Sequence, residues 1–373
     1  MKDTTKYVGL DVSKKNIAVA VADEGRGEAR YIGMIPHTVE AIRKLVKRLG
    51  EPDQLRICYE AGPTGYGLYR LFLSMGIECE VIAPSLIPQK AGQRIKTDRR
   101  DSIQLARLFR AGELTSVYVP TKEDEALRDL VRGREDAKED ELRAKHRLTK
   151  FLLRHDIRPP KEVGKTWSYK YRAWLDTLKF EYSASRIVFQ EYVHHLHEIE
   201  QRVKRYEEEI EKQSIEGVHA PMIQTLQSLR GVALITATSL VAEIGSFQRF
   251  QTPMQFMAYV GVVPSESSSG EVRRQGKITK TGNRHVRRLL VEAAWSYRYK
   301  PAVKGKLKKR LEGKPPSVQA ISWKAQNRLH TKYYRLISRG KESGKAITAV
   351  ARELAGFIWA VAHEQEQDVK PSN

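Results

Sequence analysis

Four carboxylates raise the question of chemistry. Asp11 ends the apolar segment KYVGLDV, Glu60 ends LRICYE, and Asp98 and Asp101 stand three apart in KTDRRDS. Each apolar run reads as a strand that delivers one acid at its end, and a helix opening at Asp98 would turn both aspartates to one face. In a sheet whose first and fourth strands are neighbours, Asp11 and Glu60 emerge together. Four convergent carboxylates raise one another's pKa unless a cation neutralises them. Two magnesium ions about 4 Å apart would do so, and would clamp the attacking and leaving oxygens of phosphoryl transfer. Such ions (Mg2+, or Mn2+) take carboxylate, water and phosphate oxygens, so histidine and cysteine ligands are not needed. The arrangement suits phosphodiester chemistry. For any single acid a structural role stands beside this, a turn cap or, for Asp98, a helix N-cap; the joint pattern is rarer by chance.

A second motif, AYVGVVPSESSSGEVRRQGKITKTGNRHVRR, places a serine run before Gly270 and a basic stretch. A serine that attacks a phosphodiester needs its proton removed and cations to stabilise the transferring group. Ser269 is the residue before the glycine, with Ser267 and Ser268 adjacent. Arg273, Arg274, Lys277 and Lys280 could supply the charge, and Arg284, His285, Arg287 and Arg288 continue the run of candidate nucleic-acid contacts. Taken alone, SESSSG reads as a flexible loop, and His285 as a phosphate contact or surface residue. Further on, Trp295, Tyr297 and Tyr299 interleave with Arg298 and Lys300. That mix could stack on bases while neutralising phosphates, or could pack a helix against a core.

The whole chain has 66 Lys/Arg against 45 Asp/Glu, a net charge of +21 over 373 residues. Such a charge favours polyanions through counterion release. It is concentrated: Glu271–Gly340 holds 20 Lys/Arg and 3 Asp/Glu, a net of +17. Nucleic acid is the first partner to consider. No apolar run approaches the roughly 20 residues that span a bilayer, and the charged N-terminus runs straight into a strand, so a cytoplasmic protein without membrane contact is expected. Cys58 and Cys79 each lie in apolar strand-like segments and read as buried thiols, not as a disulfide or zinc site.

The elements that must position the acids follow from periodicity. Strands are expected at 6–12, 16–22, 29–35, 55–60 and 78–82, with helices at 37–49, 66–75 and 98–111. Three strands followed by alternation imply a mixed α/β sheet flanked by helices. From Glu123 to Gln213 the chain is charged and nearly free of glycine, and Leu196, Ile199, Val203, Tyr206 and Ile210 have coiled-coil-like spacing. Pro159-Pro160 predicts two helical arms joined by a bend. A mainly α unit begins near Pro221 and ends near Ala362, and EQEQDVKPSN reads as a disordered tail. The boundaries drawn are 1–120, 121–215, 216–362 and 363–373.

YVGLDVSK, CYEAGPTGYGLYR, KTDRRDSIQLARL, AYVGVVPSESSSG and ITKTGNRHVRR together resemble the DEDD transposases of the insertion sequence 110 family. The resemblance implies a RuvC-like, ribonuclease-H-type domain over 1–120 whose four metal-binding acids fall on Asp11, Glu60, Asp98 and Asp101. It implies a coiled-coil linker over 121–215 and a C-terminal transposase domain over 216–362 with Ser269 as nucleophile. By the same resemblance the enzyme cuts and rejoins DNA at element ends or a circular junction and at a target, guided by a bridge RNA. It would act as a homo-oligomer, dimer to tetramer, in which one protomer's acids meet another's serine. The family's hairpin element often reads Gly-hydrophobic-Gly, where this chain has Gly231-Val232-Ala233. A RuvC-like junction resolvase or nuclease, using activated water and no serine, is the competing enzyme reading.

Overall fold

The structure, a computed structural model, describes residues 5–89, 97–269 and 272–368. The chain divides into two compact units, Met1–Val119 and Pro120–Asn373.

In the first unit five strands, β1 (Lys6–Val12), β2 (Asn16–Asp23), β3 (Arg30–Pro36), β4 (Leu55–Glu60) and β5 (Glu78–Ile82), form one sheet in the order β3-β2-β1-β4-β5. The first three pair antiparallel and β1, β4 and β5 run parallel. Helices α1 (Val39–Leu49) and α2 (Gly67–Ser74) supply the crossovers that parallel neighbours need. The sequence NIAVAVA explains the layering. Ile17, Val19 and Val21 join Val8, Leu10, Ile57 and Tyr59 in a core closed by Ile42, Leu45, Leu68 and Phe72 of the two helices. The alternate residues are small, and Ala20 and Ala22 pack instead with Ala106 of α3 (Asp98–Arg110) on the other face. Cys58 and Cys79 are buried free thiols, and desolvation pushes the Cys79 thiol up to about 12.

The second unit is mainly helical. Helix α4 (Lys122–Arg154) starts on a capping box between Thr121 and Asp124 and ends ahead of Pro159-Pro160. After α5 (Tyr169–Asp176), α6 (Ser183–Glu216) returns antiparallel to α4: Leu127 and Val131 share a core with Ile210, while Ala144, Leu148 and Phe151 meet Phe189, Leu196 and Ile199. A β-carbon on Gly133, the sole glycine of α4, would lie 2.9 Å from the Tyr206 hydroxyl, and Arg134 donates to Glu207 at 3.1 Å. Together these contacts fix the helix pair in register. Helices α7 (Ala220–Leu226), α8 (Leu234–Ile244) and α9 (Pro253–Val260), the hairpin β6 (Pro264–Ser269) and β7 (Val272–Ile278), then α10 (Arg284–Ala294), α11 (Gly305–Leu311), α12 (Pro316–Ser338) and α13 (Ser343–Asp368) complete the unit.

Helix α13 corrects two expectations. It is long and apolar enough to span a membrane by length and composition, which no run was expected to be. Its Ile347, Val350, Leu354, Ile358 and Val361 are fully buried in the core of the second unit, so its hydropathy is accounted for by packing. It also runs to Asp368 instead of ending near Ala362. The stretch EQEQ consists of strong helix formers, and Gln365 accepts a hydrogen bond from Thr225. The last five residues, 369–373, lie outside the described residues.

Candidate functional site

The acids occupy one end and one face of the first unit's sheet. Leu10 of β1 pairs with Tyr59 of β4, so Asp11 and Glu60 follow side by side at the carboxyl ends of adjacent parallel strands. Side chains alternate along a strand, and the face of Tyr7, Gly9 and Asp11 is the one on which α3 lies. The Tyr7 and Phe109 rings meet edge-on at 5.7 Å, and Gly9 lies beneath Ser102 and Ala106. On β4, Cys58 packs against Leu105 and Leu108 of the same helix, so Glu60, two residues on, shares that face.

The direction of α3 places its two aspartates. Arg110, at its C-terminus, donates to the carbonyls of Asp23 at 2.9 Å and Gly27 at 2.7 Å, and Asp23 pairs with Lys6 at the start of β1. Helix and strand therefore run opposite ways. Moving along β1 from Tyr7 to Gly9 steps back along α3 from Phe109 to between Ser102 and Ala106. At about 3.3 Å per strand residue and 1.5 Å per helix residue, the level of Asp11 falls near the first turn of α3, the turn that holds Asp98 and Asp101. Gly9 makes this possible: a β-carbon there would stand 2.5 Å from the Ser102 carbonyl oxygen. Thr97, with its hydroxyl accepting from Arg100 N at 3.3 Å, is the N-cap, so Asp98 is not.

Asp11, Glu60 and Asp101 are half-buried at this rim and Asp98 is exposed. Among the described residues no three His, Cys, Asp or Glu stand close enough to hold a metal ion. The fold brings these acids to one end and one face of the sheet without gathering three of them into a ligand cluster, and the donor set is all oxygen, which hard divalent cations prefer.

In the second unit the serine run is not the loop its composition suggests. Ser267 pairs with Arg274, Ser268 with Arg273 and Ser269 with Val272, at the closed end of the β6–β7 hairpin. Composition alone misses this because neither PSESSS nor VRRQGKI carries a strand's apolar alternation, and each is held by its pairing with the other. The side chains of Ser268, Ser269 and Arg273, and all of Gly270, lie outside the described residues.

The cations named from sequence divide into two groups. Arg274, Lys277, Lys280 and Arg284 are exposed. Arg287 donates to the carbonyls of Val260 at 2.8 Å and Thr281 at 3.0 Å, tying the hairpin's exit to α9. His285 lies 3.2 Å from Glu135 of α4, and Arg288 pairs with the same carboxylate. Of the seven whose side chains are described, these three have partners inside the protein.

A buried ion pair in the same unit was also missed by sequence reading. Glu243 of α8, its side chain 2% exposed, receives Arg132 Nε at 2.7 Å and Nη2 at 3.0 Å, and Asn283 Nδ2 at 2.8 Å. Burial alone would push its carboxyl up; the hydrogen bonds from Arg132 and Asn283 outweigh this and hold it below the ordinary value. The available signal was a lone acid in the apolar run LITATSLVAEI. The turn between α7 and α8 is wedged as well. Gly231 has φ +83°, and a β-carbon there would lie 2.5 Å from the Ser296 hydroxyl and closer still to the Ala293 carbonyl. Val232 is fully buried, with its carbonyl accepting from Arg310 at 2.7 Å.

Comparison with known proteins gives this geometry its context. Residues 8–156 match a family model for the DEDD transposase domain of insertion sequence 110, and residues 223–307 match the family described as Transposase IS116/IS110/IS902. The protein y4qE of Sinorhizobium fredii, named as a transposase, is 46% identical over 97% of this chain and 89% of its own length. The transposase for insertion sequence element IS1533 of Leptospira borgpetersenii is 34% identical over 90% of this chain and 98% of its own. That for IS1111A of Coxiella burnetii is 23% identical over 98% of this chain and 92% of its own. Matches at both ends of the chain, with relatives aligned along nearly all of it, establish that the chain belongs to the insertion sequence 110 family of transposases.

Proposed function

We propose that this transposase cuts and rejoins DNA strands with a composite site made of Asp11, Glu60, Asp98 and Asp101 in the first unit and Ser269 in the second. The observation that supports the reading is that Asp11 and Glu60 end adjacent parallel strands while α3, packed on the same face, opens with Asp98 and Asp101. Magnesium or manganese held there would lend Lewis acidity to a phosphoryl oxygen and lower the pKa of an attacking hydroxyl.

The protein's own groups divide the remaining work. The acids hold the cation and orient the scissile phosphate. The Ser269 hydroxyl attacks phosphorus: an Oγ–P bond forms as the bond from phosphorus to one sugar oxygen breaks, and the proton released by the serine is balanced by the one that sugar oxygen takes up. Attack by another strand's sugar hydroxyl on the phosphoserine reverses the step and restores the phosphodiester, so no external energy source is required. The exposed Arg274, Lys277, Lys280 and Arg284 flank the serine hairpin with positive charge that would hold the strand and stabilise the pentavalent phosphorus. Arg273, next to them in sequence, is assigned the same role.

In this reading the acids of one protomer meet the serine of another within a dimer or tetramer, with the α4–α6 helices of the second unit as the coiled-coil element. A bridge RNA selects the DNA partners, and the basic stretch Glu271–Gly340 offers charge for either nucleic acid.

The test is a denaturing gel of the purified protein incubated with Mg2+, cognate element ends and the noncoding RNA encoded beside them. A covalent protein–DNA adduct is expected, absent in Ser269→Ala and in Asp11→Asn, with cleavage reduced by at least about 10³-fold in each. Cleavage that survives Ser269→Ala and yields free ends would replace this reading with hydrolysis by activated water.

A further inference from the structure

We propose that the second unit carries a stacking platform for unpaired DNA bases, formed by Trp295 and Tyr299 around Arg298. The three aromatics at 295–299 are equivalent by sequence, and the structure separates them. Tyr297 is fully buried, its carbonyl 3.2 Å from His330 Nδ1 of α12. It is a packing residue. Trp295 and Tyr299, on a single 3-10 turn and its cap, are 36% and 55% exposed. The Arg298 guanidinium lies over both rings, 5.8 Å from the Trp295 centroid and 4.8 Å from that of Tyr299, and donates to the Tyr299 hydroxyl at 2.6 Å. Its described partners include no carboxylate. A cation held over two exposed rings by π contacts and the Tyr299 hydroxyl, with no described carboxylate to neutralise it, is a half-built stack, which a nucleobase can extend on a ring face.

The backbone beneath is fixed. Arg230 donates to the carbonyls of Tyr299 at 3.2 Å and Lys300 at 2.8 Å, and Gln326 accepts from Ala302 N at 3.1 Å. The rings are therefore presented on a rigid support. The chain beyond them is strongly basic: from Arg298 to Arg310 there are seven Lys/Arg and no Asp/Glu, with Lys304, Lys306, Lys308 and Lys309 exposed on and before α11. Aromatic faces beside a lysine track match a strand with its bases turned out and its phosphates running along the lysines. Duplex DNA would use the lysines and leave the rings idle, because its bases are already stacked. With duplex excluded, and DNA being what a transposase acts on, the occupant is single-stranded DNA, of the kind that strand exchange produces.

This inference rests on DNA being the substrate, and on neither the four acids nor Ser269. It is tested on full-length protein without divalent cation, in wild type and in Ser269→Ala, by anisotropy of labelled oligo-dT, oligo-U and a mixed-sequence duplex. Trp295→Ala/Tyr299→Ala should weaken oligo-dT binding by about tenfold or more and duplex binding by less than about twofold, with no change in salt slope. Trp295→Phe/Tyr299→Phe should restore most of the affinity. A second readout does not depend on the alanine variant folding: oligo-dT should quench the tryptophan fluorescence of wild type, and Trp295→Phe should lose that component. Equal losses on duplex and single strand, a loss confined to oligo-U, or a quench unaltered by Trp295→Phe would each overturn the proposal. Loss of cleavage with this binding pattern intact would count against the composite site alone.

Discussion

The two units hold the carboxylates singled out above in opposite ways. Glu243 lies inside the second unit with its charge matched by a two-pronged guanidinium and an amide. The four acids of the first unit stand at a rim, where strand ends and a helix start deliver them and water reaches them. A sealed charge is coupled to folding, because removing it strands its partners. A charge at a rim remains hydrated and loses little when neutralised, so its effect is felt by whatever binds there. Substitution in one place should therefore register as stability and in the other as activity.

The largest expected effect on stability tests the sealed side. Glu243→Ala leaves Arg132 and Asn283 without their acceptor and should cost about 3 kcal/mol, the low end for a broken buried pair because Arg132 is 45% exposed. Urea unfolding should show this as a lower midpoint with unchanged slope; an unchanged midpoint would dissolve the contrast. The carboxyl of Glu243 is held below its ordinary value of 4.5 in the folded state. Its stabilisation is thus fully present above about pH 4.5 and is lost as pH falls through the lower folded value. Glu243→Gln should accordingly flatten the acid limb of the stability curve.

Gly9→Ala comes next and tests the rim. The added methyl would meet the backbone of α3 at Ser102 and Ala106, so a loss of about 1 to 3 kcal/mol is expected. Because the helix must lift, Asp98 and Asp101 should leave the level of Asp11, and cleavage should fall further than the folded fraction does. If cleavage merely tracks the folded fraction, α3 does not position the acids. Thr97→Ala is the gentlest probe. Loss of the N-cap should cost about 1 kcal/mol, visible as a small drop in Tm.

These two regions also differ in how legible they were. Every strand of the first unit was readable to within a residue or so, because alternation such as Ile17-Ala18-Val19-Ala20 states both the strand and its two faces. The acids were readable as strand-terminal breaks in apolar runs. What sequence could not supply was the direction of α3, which depends on Arg110 finding two carbonyls far away in the chain and on Gly9 permitting the approach. In the second unit helices were readable, but the serine strand was not. Two short polar strands stabilise each other by pairing, which no local pattern records. The partners of His285, Arg287 and Arg288 were equally out of reach, since each lies on a different element. Charge density marked a basic stretch but could not separate cations that face solvent from those that tie helices together.

The paired helices α4 and α6 have a mechanical consequence. Near Leu127, Val131 and Ile210 they are rooted in the main core, while the satellite core around Phe151 and Phe189 lies at the far end. From Glu135 to Arg154 the arm is roughly 30 Å long at 1.5 Å per residue, and the Gly133–Tyr206 contact prevents its two strands of helix from sliding past each other. Such a beam converts angle into distance: a tilt of about 10° at the root carries the tip about 5 Å. The seam of Arg132, Glu243 and Asn283 sits at that root, so small adjustments there become displacements the width of a nucleotide step at the other end.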